Sequence, residues 1–217
     1  MKKLIFLFLL LSSIIYNAQE KHAFTDEIQN FKTLDAQNPP PKNAILLIGS
    51  SSFRKWTNVS DYFPTKTIIN RGFGGSTLLD LNYFADDLVK PYDPKQILIY
   101  CGENDFAADE NVTSTEVFNR FKNFYKKIRQ YYPKIEVDFV SIKNSPSRTK
   151  YWNKMLKTNA LIKNFLNKEK NSKYIDITNA MTDSNGKVRK ELFLEDMLHM
   201  KSEGYKLWAK KIEPYLK

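Results

Sequence analysis

The chain has 217 residues, a formal net charge of +10, one cysteine and two histidines. A lone cysteine excludes an internal disulfide and a cysteine-built zinc site, and two histidines exclude a histidine-rich metal centre. The length suits one domain with a full core, and no repeat, low-complexity tract or Pro/Gly/Ser-rich linker marks a second.

Residues 1–18 open with Lys2 and Lys3, continue through an apolar stretch from Leu4 to Tyr16 and end at Asn17-Ala18. This is the layout of a secretory signal peptide cut near Ala18; the apolar stretch is shorter than the roughly 20 residues that span a bilayer. A cleaved leader predicts a secreted or periplasmic protein. The lysines that remain are scattered over predicted helices. They read as a solvated surface with a weak attraction to anionic surfaces, and no nucleic-acid motif accompanies them.

Residues 19–43 read as a helical lead-in packed on the domain. Phe24, Ile28, Phe31 and Leu34 share one helical face, Asp26 and Gln29 are spaced as a cap pair, and Pro39-Pro40-Pro41 ends the helix. From residue 44 to 217 strands and helices alternate. Ala44 to Ile48 is the first predicted strand and Thr67 to Ile69 the second. Leu81, Phe84, Ala85 and Leu88 mark a helix that stops before Pro91. The third strand is Gln96 to Cys101, with Cys101 read as a small buried residue.

Thr113 and Glu116 form a predicted capping box for a helix carrying Val117, Phe121, Phe124 and Ile128. Ile135 to Val140 is the fourth strand. Trp152, Met155, Leu156, Ile162 and Leu166 follow at helical spacing. Tyr174 to Ile177 is a short fifth strand, Asn185-Gly186 a turn, and a last helix from Ser202 carries Tyr205, Trp208 and Ile212. Short continuous apolar strands between helices predict an α/β fold: a three-layer α/β/α sandwich on a five-stranded parallel sheet. Ligands in such sheets bind outside the carboxyl ends of the strands.

Four polar segments fall at that edge: Gly49-Ser50-Ser51-Ser52, Asn70 to Ser76, Gly102-Glu103-Asn104-Asp105, and Asp196-Met197-Leu198-His199. Singly, each reads as a turn, a loop or a surface pair. Together they supply the parts of acyl transfer. A serine hydroxyl needs a base, and His199 is the candidate because His22 lies beside the leader cleavage point. Asp196, three residues earlier, is placed to orient the imidazole. The backbone N–H groups of Ser51 and Gly75 and the side-chain amide of Asn104 are candidate oxyanion donors. The spacing Gly-x-Ser selects Ser51 as nucleophile. Phe53 stands where a Gly-x-Ser-x-Gly elbow would have its last glycine, which argues against an ordinary α/β-hydrolase. The pattern Gly-x-Gly-x-x-Gly of a nucleotide site is also missing after the first strand.

Ser145, Ser147, Arg148 and Trp152 are candidates for lining an acyl or alcohol pocket. Arg71, a further substrate-lining candidate, and Arg54 are candidates for meeting an anionic group on the substrate. Capping of the next helix is the alternative for the Ser145–Arg148 stretch. Arg54 and Arg71 could instead pair with Asp105 or Asp80.

The four segments, in this order, resemble the sequence blocks of SGNH (GDSL-type) hydrolases. Gly49-Ser50-Ser51 stands for the usual Gly-Asp-Ser, Gly75 for the oxyanion glycine, Gly102 to Asp105 for Gly-x-Asn-Asp, and Asp196 with His199 for Asp-x-x-His. Ser50 replaces the common aspartate, which is not the nucleophile. The Gly-Ser-Ser-Ser form is similar to a bacterial subgroup and to the platelet-activating-factor acetylhydrolase-like branch. The resemblance implies a flavodoxin-like fold and a serine esterase needing no metal or organic cofactor, acting on a small-molecule or carbohydrate ester. Short acyl groups such as O-acetyl carbohydrate are the preferred substrates. A lysophospholipase, an acyl-thioesterase or a non-catalytic carbohydrate-binding module is the alternative.

Overall fold

The computed structural model describes residues 21–217, so the leader reading of residues 1–18 lies outside the described residues. The expected sheet is present. Strands β1 (Ala44–Gly49), β2 (Ile68–Gly72), β3 (Pro94–Tyr100), β4 (Glu136–Val140) and β5 (Tyr174–Ile175) lie in the order β2-β1-β3-β4-β5. Every pairing is parallel. All of β1 is buried, as expected of a strand covered on both faces.

Alternate β1 side chains feed two cores. Ala44, Leu46 and Ile48 join Ile97 and Ile99 under α1 (Thr25–Gln37), α4 (Leu78–Tyr83), α5 (Ala85–Val89), α7 (Ser114–Tyr131) and α8 (Trp152–Leu166). Ile45 and Leu47 join Leu98 and Tyr100 on the other face. There Phe53 of α2 (Ser51–Arg54), Val59 of α3 (Val59–Tyr62) and Trp208 of α9 (Ser202–Ile212) close the layer. Trp56 and Trp208 are both fully buried there, packed edge to face.

Local signals placed most boundaries. Thr113 Oγ1 accepts from the Glu116 N–H and Glu116 accepts from the Thr113 N–H, the expected capping box. Such a cap contributes about 1 kcal/mol. The expected Asp26–Gln29 cap pair is not formed. Phe24 occupies the N-cap, and Thr25 donates its hydroxyl to the His22 carbonyl instead. The helix through Leu81 and Leu88 is broken at Phe84 into α4 and α5, and Thr77 with Asp80 makes a second capping box. Strand β2 runs on through Asn70 and Arg71 to Gly72. Strand β5 stops early because the Ile177 N–H turns to the Ser141 hydroxyl, 3.0 Å away.

Candidate active site

The chain after β1 turns at once into α2. Gly49 lies flat against β3, where a Cβ would stand 1.9 Å from the Tyr100 carbonyl oxygen. No other residue fits so close a backbone approach. Ser50 donates its N–H to that same carbonyl at 2.9 Å, which pins the corner to the sheet. Ser51 is the first residue of α2 and 7% exposed.

Ser51 Oγ lies 2.9 Å from His199 Nε2, across 148 residues of chain. His199 Nδ1 lies 2.5 Å from Asp196 Oδ2. The remaining carboxylate oxygen, Oδ1, accepts the backbone N–H groups of His199 (2.9 Å) and Leu198 (3.0 Å). The Asp196–His199 segment is a tight loop before α9, with Met197 in the left-handed region at φ 53°. Leu194 closes it by donating its N–H to the His199 carbonyl and accepting from the Met197 N–H. Burial pushes the Asp196 carboxyl up, and the hydrogen bonds from His199 and Leu198 outweigh it and hold it down at about 2. Asp196 is therefore an anion at neutral pH. It accepts from Nδ1–H, which leaves Nε2 as an acceptor facing the serine hydroxyl.

Gly75 stands on the loop after β2 and Asn104 in the first turn of the helix after β3. Gly75 has φ +81°, a conformation that glycine adopts without strain. The N–H groups of Ser51 and Gly75 donate to no protein acceptor among the described residues. Asn104 lies in α6 (Glu103–Ala108), is 8% exposed, and gives one Nδ2 proton to the Ser76 carbonyl at 3.1 Å. Its second amide proton is uncommitted. Ser76 is the joint that the sequence reading missed. Its hydroxyl lies 3.0 Å from the Phe73 carbonyl oxygen and 3.4 Å from that of Gly49, so one buried residue links three of the four segments.

A family model, the GDSL-like lipase/acylhydrolase family, matches residues 46–207. The chain belongs to this family. It is an ester hydrolase by that membership, and the SGNH/GDSL resemblance and the α/β/α architecture stand together. Solved structures share the fold. A Streptococcus pneumonia protein named after platelet activating factor is 24% identical, with 88% of this chain and 92% of that chain covered and a TM-score of 0.77. A Bacteroides fragilis protein classed as an acylhydrolase is 21% identical, covering 90% and 97%, with a TM-score of 0.77. A GDSL-like lipase from Bacteroides thetaiotaomicron is 19% identical, covering 87% and 96%, with a TM-score of 0.72. The comparison with curated proteins returned no match.

The remaining candidates in this acylhydrolase separate cleanly. Arg71 is corrected: it does not line the site. Its guanidinium pairs with Asp35 of α1, donates to the Tyr92 hydroxyl at 2.6 Å and lies over the Phe31 ring. Arg54 pairs with Glu27, and Asp105 with Arg120 rather than with either arginine. Ser145 is also corrected, because its hydroxyl is fully buried. Arg148 is half-buried and makes no ion pair among the described residues. Its segment touches the acid–base loop, with the Ser147 N–H on the Met197 carbonyl at 3.0 Å. His22 packs on Tyr83 and faces Asp80 at 3.3 Å, away from Ser51's partners. Among the described residues no cluster of three or more His, Cys, Asp or Glu could hold a metal ion.

Proposed function

We propose that this acylhydrolase cleaves short-chain carboxylic esters, O-acetyl esters of carbohydrate among them, with Ser51 as nucleophile, His199 as general base and Asp196 as its orienting anion. The observation that carries this reading is the continuous hydrogen-bonded line from Asp196 through His199 to Ser51. In this reading His199 Nε2 takes the Ser51 proton as Oγ attacks the ester carbonyl. The developing oxyanion is held by the Ser51 and Gly75 N–H groups and the free Asn104 amide proton. His199 then protonates the leaving alcohol, and the same groups activate water to release the acid.

Support for a carbohydrate alcohol comes from the neighbouring surface. A cleft of about 500 Å³ is lined by Asn144, Trp152, Lys187 and Lys190. Pro146 and Val188 also line it, so the cleft offers apolar faces with polar groups at the edge, which a sugar ring matches. Lys190 also borders the depression lined by Asp196 and Met197. The leader reading of residues 1–18 supports this substrate class, because an exported enzyme meets such polymers outside the cytoplasm.

The test is hydrolysis of p-nitrophenyl esters from acetate to decanoate by the wild type and by Ser51→Ala. Ser51-dependent turnover that falls after the shortest chains is expected. A preference for long chains would move the substrate to lysophospholipid or acyl-thioester. Absence of turnover from a folded wild type on these and on acetylated polysaccharide would leave a binding module.

A further inference from the structure

Against Ser52, the chain neighbour of Ser51, lies a group that hydrolysis itself does not call for. Lys143, just past β4, is among the largest fully buried side chains of the protein. Its three N–H groups are shared among the Glu103 carboxylate (Oε1 at 2.7 Å, Oε2 at 2.8 Å), Ser52 Oγ at 3.1 Å and the Tyr100 hydroxyl at 3.2 Å. Glu103 is likewise fully buried. Burial draws the Lys143 ammonium below its ordinary value, and the Glu103 carboxylate works against that fall.

A buried ion pair is weak evidence for stability, because desolvation offsets most of the attraction and an apolar pair often serves as well. The positions of the partners point elsewhere. Ser52 follows Ser51 in α2, and Glu103 precedes Asn104 in α6. Lys143 therefore ties the residue next to the nucleophile to the residue next to the oxyanion amide, from a third strand end. Tyr205 of α9 extends the tie, donating its hydroxyl to the Ser52 carbonyl at 2.9 Å. That joins the corner to the helix that follows His199.

We propose that Lys143 is a positioning residue for ester hydrolysis: its grip on Ser52 and Glu103 sets the spacing between the Ser51 hydroxyl and the Asn104 amide. The proposal rests on the roles assigned above to Ser51 and Asn104. An oxyanion donor is useful only within hydrogen-bond reach of where the charge develops, and misplacement by about 1 Å can cost roughly a hundredfold in rate. An ammonium with three directional N–H groups and three partner residues fixes that spacing; an apolar contact of equal volume would let the two helices slide.

The experiment uses the apolar pair Glu103→Leu/Lys143→Met, because Lys143→Met alone leaves a buried unpaired carboxylate and unfolding could mask the effect. The pair is expected to melt at or above the wild-type temperature. On p-nitrophenyl acetate its kcat should fall about ten- to a hundredfold with KM nearly unchanged, the split expected for lost transition-state alignment. Backbone hydrogen exchange over Ser51–Ser52 and Gly102–Asn104 should quicken in the pair without any change in melting. That readout needs no turnover, so it tests the positioning role even where the esterase reading fails, while Ser51-dependent turnover of the wild type tests the reading alone. A stable double variant with wild-type kcat, or one with unchanged exchange at both helices, would overturn the proposal.

Discussion

The two halves of the site are built in opposite ways. The half proposed to hold the nucleophile and an oxyanion donor is buried: Ser51 and Asn104 are 7% and 8% exposed, beside a Lys143–Glu103 pair with no exposure. The half proposed as acid and base is a surface loop, where the Asp196 side chain is 46% exposed and His199 15%. One half is held by contacts between distant strand ends, the other by hydrogen bonds within a few residues. The difference follows the work each half does. Donors that meet a transient charge gain most in a dry, rigid setting. An orienting carboxylate needs only a short fixed bond to its own histidine, and the local loop supplies that.

Ser51→Ala should produce the largest loss, about 10⁴ to 10⁶ in kcat, with unchanged melting, as expected when a nucleophile is removed from residues that act as a unit. Next comes the contrast between the halves. Asp196→Asn should lower kcat by about 10⁴, because an amide beside Nδ1 no longer holds the imidazole in the tautomer that leaves Nε2 an acceptor, however exposed the carboxylate it replaces. Asn104→Ala should cost less, about 10² to 10³, the usual cost of one oxyanion donor. Steady-state kinetics of the two variants decide the matter; a loss for Asp196→Asn below that for Asn104→Ala would show that the exposed half contributes little.

Smaller effects concern stability against pH, and here two carboxylates act with opposite sign. Asp196 is held at about 2, below its unfolded value, so its contribution is present above the ordinary carboxylate range and is lost as pH falls through the folded value. Asp138 lies on β4 toward the far end of the sheet, between the Gln96 amide and the Lys173 N–H. Burial, the leading cause, raises it to about 7. Below the usual carboxylate value it is protonated in both states. As pH rises from about 4 to about 7 the unfolded chain releases the proton first, so stability declines across that window and levels off above it. Asp138→Asn should flatten this slope while leaving kcat unchanged, measured by denaturant titration at a series of pH values. A slope as steep as the wild type's would remove Asp138 from the account.

Much of this protein was legible from local pattern. The run Ile45 to Ile48 could only be a strand buried on both faces, and Thr113 with Glu116 announced its helix, because periodicity and capping depend on neighbours in the chain. The four polar segments were legible as a group because a parallel sheet gathers whatever follows its strands at one edge. The sequence did not distinguish Arg71, which joins Asp35 and Tyr92 across 36 and 21 residues, from an arginine facing substrate. Nor did it single out Ser76, or mark Lys143 as anything but one more surface lysine among the 34 basic residues. The succession of strands and helices along the chain, the family blocks and the identity of the chemical groups were therefore determined by sequence alone. Which charges went inside, and which side chains hold the reacting ones in place, was decided only when segments far apart in the chain packed together. Burial and partner choice are properties of that packing, and no local spacing encodes them.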